Sequence, residues 1–269
     1  MSAKTLFTFS MSLIIANSML LYTNGALAAP VPIETSALDN SLRTDTDFRL
    51  GATLSIAQRP FVGVDDQITS LPYIVYQYKD FYIEGINLGY HLLNRKDFSI
   101  NLLATPRFYE VQPSFADNGE LDGIDKTRPT YFAGVSTQYR LEFATLTLQL
   151  LTDLRESNGN EFVLTASKAF KLENTFTLAP SIGITYQDAE LVDHFYGVQA
   201  HETRVNRPEY GGRSSTNVNA SLTVIWDASK NIQWLGQAKY EILGSGITNS
   251  PIIDEDSIIS AVMGIVYRF

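Results

Sequence analysis

The chain of 269 residues carries 29 acidic against 20 basic side chains, is 45% hydrophobic and has no cysteine. Disulfides and thiolate metal centres are therefore excluded, and the acidic balance argues against nucleic acid, whose phosphates need Lys/Arg patches. Beyond residue 28 no run approaches the ~20 apolar residues of a transmembrane helix, so the apolar content is dispersed, as in a transmembrane β-barrel.

In chain order, residues 1–28 read as a signal peptide. Lys4 supplies the positive charge, residues 13–22 an apolar run broken by Asn17 and Ser18, and Ala26-Leu27-Ala28 the cleavage site. Loss of Lys4 takes the net charge from −9 to −10. Residues 29–46 are expected to form a periplasmic N-terminal segment and residues 47–269 the barrel.

The strands show a period of two. Phe48, Leu50, Ala52, Leu54 and Ile56 share one face, with Arg49, Gly51, Thr53 and Ser55 on the other. The same alternation runs over 98–108, 176–187, 217–226 and 232–241, and less regularly over 131–140, 143–153 and 162–171. Phe176 and Tyr186 bracket one such face; ten residues span about 34 Å. Tilted near 40°, that projects to about 26 Å, close to the ~25 Å apolar band between aromatic girdles.

Connections alternate in length. Short turns at 94–97, 141–142, 172–174 and 228–230 face long polar segments at 58–70, 111–127, 154–160, 188–214 and 243–256, the pattern of periplasmic turns and outer loops. Phe98, Tyr139, Phe170, Phe176, Trp226, Trp234 and Phe269 gather at the short-turn side as an aromatic belt. Residues 71–92 keep one even-numbered apolar phase through Pro72, Ile74, Tyr76, Tyr78, Tyr82, Ile86, Leu88 and Tyr90. They are predicted as one long strand, because a hairpin at Lys79-Asp80 would shift the phase. The fold expected is an all-β transmembrane antiparallel up-and-down barrel of 10 strands, with 12 as the alternative if residues 30–46 hide another. Bulges are expected at Pro106 and Pro180. The final strand alternates to Tyr267 and Phe269 and resembles the carboxy-terminal signal of outer-membrane β-barrels, which implies recognition by the barrel-assembly machinery.

Candidate chemistry is sparse. Asp65-Asp66 and Asp193-His194 have the residue types of the omptin barrel proteases, but adjacent residues in extended chain point apart, whereas a water-activating couple must converge. His91, His194 and His201 are dispersed, so neither a zinc site nor a Ser–His hydrolase is indicated. Residues 118–125 offer oxygen ligands without EF-hand spacing. No catalytic, metal or cofactor residues are assigned. Arg49, Arg107, Arg140, Lys239, Glu241 and Arg268 are expected in the lumen, packing it as a hydrogen-bonded plug, since a barrel of this size lies near the filled end. Acids such as Asp65, Asp66, Asp122, Asp254, Glu255 and Asp256 crowd the outer loops, where divalent cations would bridge them to lipopolysaccharide phosphates.

The Pro60-Phe-Val-Gly63-Val-Asp65-Asp66 stretch is followed by Leu71-Pro72-Tyr-Ile, then Phe81-Tyr82, Gly89-Tyr90 and Leu121-Asp-Gly123. Tyr196-Gly197-Val198, Tyr210, Asn249-Ser250-Pro251-Ile252 and Tyr267-Arg268-Phe269 complete the series. In order and spacing this resembles the MltA-interacting protein/OmpV family of outer-membrane proteins, with Phe61 where that family carries Tyr. The resemblance implies a non-enzymatic barrel of the cell outer membrane that scaffolds peptidoglycan-remodelling enzymes, a lytic transglycosylase and a peptidoglycan synthase among them. The alternatives are a narrow channel for small solutes and an omptin-like hydrolase.

Overall fold

A computed structural model of the protein describes residues 46–269 apart from Asn174. The signal peptide expected at 1–28, and the periplasmic segment expected after it up to residue 45, lie outside the described residues. In chain order the strands are β1 (Thr46–Ala57), β2 (Gln67–Tyr78), β3 (Phe81–Glu84), β4 (Asn87–Asn94), β5 (Phe98–Arg107), β6 (Thr130–Arg140) and β7 (Thr145–Asp153). They continue with β8 (Asn160–Ser167), β9 (Phe170–Leu172), β10 (Phe176–Gln187), β11 (Ser215–Asp227), β12 (Ile232–Ile242) and β13 (Ser257–Arg268). Each pairs antiparallel with its sequence neighbour, except that β8 and β9 both pair with β10. β13 pairs β1 from Arg49↔Arg268 to Ala57↔Ser260 and closes the barrel. Closure removes both sheet edges, the condition for a sheet to cross lipid.

β8 and β9 are two parts of one wall strand, so the barrel has twelve. Pro180 explains the interruption: its carbonyl accepts from Lys168 N (3.2 Å), but it has no N–H to return. The register runs on unshifted from Ser181↔Ser167 to Leu178↔Phe170. Pro106 likewise pairs in register with Tyr131. The bulges expected at these prolines are therefore absent; a register shift occurs instead between His91 and Leu93.

Twelve strands correct the ten expected, and the added pair does not come from residues 30–46. It comes from the segment read as one strand, which turns twice. Lys79-Asp80 joins β2 to β3, with Tyr78 paired to Phe81, and Gly85-Ile86 joins β3 to β4, with Glu84 paired to Asn87. Lys79 (φ 53°) and Gly85 (φ 60°) supply the left-handed residues. Each two-residue turn flips the parity, so two in succession restore it. Tyr78, Phe81, Leu88 and Tyr90 consequently face outward, whereas Tyr82 points into the lumen. There it stacks on His91 at 4.7 Å and covers Gly89, where any Cβ would strike its ring.

The lipid face carries Leu50, Leu54, Ile56, Leu102, Leu150, Ile182, Leu222 and Met263, all exposed. At the short-turn end Phe176 stacks on Trp226 (5.6 Å), Phe98 meets Tyr139 edge-on (6.3 Å) and Phe48 stacks on Phe269 (5.2 Å), forming the expected belt. Cysteines at Asp122, Gly211 or Asn249, all exposed in the outer connections, should therefore label on intact cells, while one at Ser229 in a short turn should not. Labelling at Ser229 alone would invert the topology.

Candidate functional site

The outer connections fold together over the mouth. Helix α1 (Ala189–Tyr196) starts at Asp188, whose carboxylate accepts from Leu191 N, and a short helix α2 (Ser245–Thr248) lies beside it. Phe61, Leu121, Leu191, Phe195, Ile247 and Ile252 are buried in the core they share. Short bridges Phe61↔Ile253, Val64↔Ala116 and Val198↔Tyr210 lace the segments, and Ser250 Oγ donates to Tyr196 O at 2.5 Å. The outer mouth is thus covered by a cap whose hydrophobic core is shared with Leu103, Phe132 and Leu151 of the barrel wall.

Arg207 pins this cap. Its guanidinium donates to the carbonyls of Glu120 (2.9 Å), Asp122 (2.7 Å) and Glu202 (2.8 and 3.0 Å). Gly119 and Gly123, at φ 75° and 77°, turn the loop that presents two of those oxygens. The oxygen-rich stretch 118–125 thus gathers around a side chain of this chain. Charge-assisted hydrogen bonds are worth about 1.5–3 kcal/mol each. Arg207→Met should expose the outer connections to protease by at least that much, with the barrel still heat-modifiable; unchanged loop protection would refute this role.

Asp125, His201 and Glu202 lie within 4.8 Å of one another and have the residue types of a metal site. Their donor atoms are already engaged: His201 Nε2 pairs with Asp125 Oδ2 at 2.9 Å, and the Glu202 oxygens accept from Asp125 N and Gln199 N. Asp193 accepts from Gly212 N at 2.7 Å, fixing the chain after α1, while His194 Nε2 is buried without a hydrogen-bond partner. Asp65 and Asp66 are exposed. His91 sits inside the barrel against Asn101 Oδ1 at 2.6 Å. The structure therefore does not bring Asp65-Asp66 and Asp193-His194 together as a water-activating site.

Beneath the cap lies a cavity of about 200 Å3. Among its lining residues is Glu161, with a side chain 1% exposed, which pairs with Arg107 at 2.8 Å and accepts from Tyr109 Oη at 2.8 Å. Across the lumen Lys239 pairs with Glu241 at 2.6 Å, and Asn217 donates to Glu241 at 3.1 Å. Lower down Arg268 pairs with Asp227 at 2.8 Å, Arg140 donates to the carbonyls of Arg95 and Lys96, and Tyr73, Ile225, Leu235, Val262 and Val266 pack together. The lumen is crosslinked by charge and filled toward the periplasm. Glu161, missed from sequence, is the second residue of β8, one residue before the apolar pattern, and lies on its inward phase. Arg59, also missed, sits in a polar connection with no periodic signal.

Arg59 is buried and donates to the carbonyls of Phe108 (3.4 Å) and Glu110 (2.9 Å). Burial pushes the Glu110 carboxyl above its usual 4.5, an effect that nearby Arg59 opposes. An acid whose folded value is raised contributes most stability below its unfolded value and loses it as pH rises through the folded one. Glu110→Gln should therefore flatten the decline in cap protection against protease above pH 4.5. Identical pH profiles for parent and variant would contradict the assignment.

A closed, twelve-stranded wall with a greasy outer face, an aromatic belt, short turns at one end and a folded cap at the other defines an outer-membrane β-barrel protein. The chain matches the family described as MltA-interacting protein MipA over residues 50–269, and it belongs to that family. The MltA-interacting protein of Escherichia coli (strain K12) is 25% identical over 247 residues, covering 90% of this chain and 98% of that one. The putative outer membrane protein YiaT of the same strain is 25% identical over 228 residues, covering 84% and 92%. Outer membrane protein OmpV of Vibrio cholerae is 23% identical over 181 residues, covering 66% and 70%. The solved KdgM porin aligns over 83% of this chain and 98% of its own at 10% identity and TM-score 0.38. The closed barrel described above stands on the strand pairings of this chain itself.

Proposed function

We propose that the protein is a non-enzymatic outer-membrane scaffold that holds peptidoglycan-remodelling enzymes, a lytic transglycosylase and a peptidoglycan synthase, at its periplasmic face. The observation that carries this reading is the end-to-end similarity to a relative whose name states an interaction with MltA. The covered outer mouth and the ion-paired lumen support a scaffold over a solute channel. Asp193 is held by Gly212 N and Gln199 while His194 Nε2 is buried without a hydrogen-bond partner, which supports it over a hydrolase built on that couple. The test is affinity capture from detergent-solubilised envelopes. Enrichment of lytic transglycosylase and peptidoglycan synthase over an unrelated barrel bears the proposal out; their absence, with single-channel conductance from the purified protein, would replace it with the channel.

Tyr267 and Phe269 are proposed to present the assembly signal. In support, Phe269 is 76% exposed on the lipid side of the strand that closes the barrel, packed on Phe48 and on Tyr267 at 5.0 Å. The exposed Asp254, Glu255 and Asp256 are the residues proposed to meet lipopolysaccharide through divalent cations.

A further inference from the structure

The barrel wall is incomplete beside the lumen cavity. β3 has four residues and β4 eight, between neighbours of twelve and ten. The β3–β4 turn reaches only the level of Ile74, whose carbonyl accepts from Gly85 N at 2.8 Å. Above that turn no ladder joins β2 to β5 among the described residues.

Unpaired peptide groups facing lipid are costly, and two prolines remove N–H groups from this gap. Ile74 directs its peptide groups to the β3 side, so Pro72, two residues away, directs its own there too. Tyr131 O accepts from Leu154 N, away from β5, so its cross-strand neighbour Pro106 also faces away from β6, into the gap. Both borders thus carry a proline where an N–H would lie bare. On the β5 side the Pro106 carbonyl accepts from Thr105 Oγ1 at 3.3 Å, and Arg59 reaches the Phe108 carbonyl across the top. The result is a framed window.

The window communicates with the cavity. Pro106 and Phe108 continue the outward phase of β5, yet they line the same cavity as the inward Arg107, Glu161 and Lys239, and so does Ile86 at the turn below. The packed outer connections lie over the cavity on the outer side. Ile68 and Tyr131, exposed beside the window on the outer face, place it against lipid. The 200 Å3 cavity is large enough to take a head group and part of a chain, with the remainder left in the window. Arg59, Arg107 and Lys239 line it against Glu161 and Glu241, and buried Arg59 Nε has no hydrogen-bond partner. Glu110, the acid beside Arg59, does not line the cavity, and burial pushes its carboxyl toward the neutral form, so the lining itself carries three cations and two carboxylates.

We infer that the window and cavity form a lateral binding site for a single-chain anionic amphiphile of the fatty-acid class, which enters from the outer leaflet and places its carboxylate near Arg59 and its chain between Ile86, Pro106 and Phe108. This site is independent of the scaffold reading.

The test uses the full barrel in lipid nanodiscs with 11-(dansylamino)undecanoic acid as the fluorescent probe and dodecanoate or dodecanol as competitor. Saturable enhancement, displaced by dodecanoate about tenfold better than by dodecanol, is expected of the parent. Equal displacement by the two, or no saturable signal, overturns the proposal. Ile86→Trp, which fills the window, should weaken the probe about tenfold, whereas Leu222→Trp on the outer face away from the window should not. Undiminished binding by heat-modifiable Ile86→Trp also overturns it. The competition on the unaltered protein decides the matter if that variant fails to assemble.

Discussion

Replacing Glu161 by Ala should destabilise the barrel more than any other single lumen substitution. Its side chain is 1% exposed and serves Arg107, Tyr109 and Gln187 together. Removing Glu161 takes from Arg107 its paired carboxylate in a site it shares with Phe132, whose ring lies 5.7 Å from the guanidinium. Stranding a buried charge costs about 3–5 kcal/mol. Replacing both partners together, Arg107→Met with Glu161→Leu, should recover most of the loss, because no ion then remains to be solvated. Urea unfolding of the barrel in lipid vesicles measures the three variants. A double variant as unstable as Glu161→Ala would mean the site depends on shape or on Tyr109 rather than on the ion pair.

Deleting Phe269 is the second large effect. The residue adds little to the folded wall: it is exposed, its backbone N reaches Phe48 O at 3.4 Å, and its ring lies on Phe48 and Tyr267. Leu222→Ala, by contrast, removes an outward side chain from the middle of β11. If Phe269 is read during assembly, its deletion should sharply lower the heat-modifiable protein in the outer membrane while Leu222→Ala leaves it nearly unchanged. Equal yields would reduce Phe269 to an ordinary belt residue.

The wall of the barrel was legible because inward and outward faces differ in polarity at every second residue. The belt followed from Trp226, Phe176 and Phe269 recurring at one end. The strand count was not, since the turns at Lys79-Asp80 and Gly85-Ile86 cancel each other's parity and leave the apolar phase of 72–90 intact. The clue was Gly89, a glycine opposite Tyr82 with room only for that ring. The lumen charges Arg107, Lys239 and Glu241 were visible as inward-phase residues, but their pairing depends on strands brought together across the barrel. The cap was invisible for another reason: Leu121, Leu191, Ile247 and Ile252 sit in connections with no shared period, and only the barrel rim brings them together. The window follows from strand lengths that the merged reading erased.

The central claim, a capped barrel that acts by holding an enzyme rather than by conducting, is tested most directly by titrating purified lytic transglycosylase onto the barrel reconstituted in planar bilayers. The account predicts saturable binding from the side bearing the short turns, with no single-channel steps before or after. Steady conductance together with no transglycosylase binding from either side would contradict it.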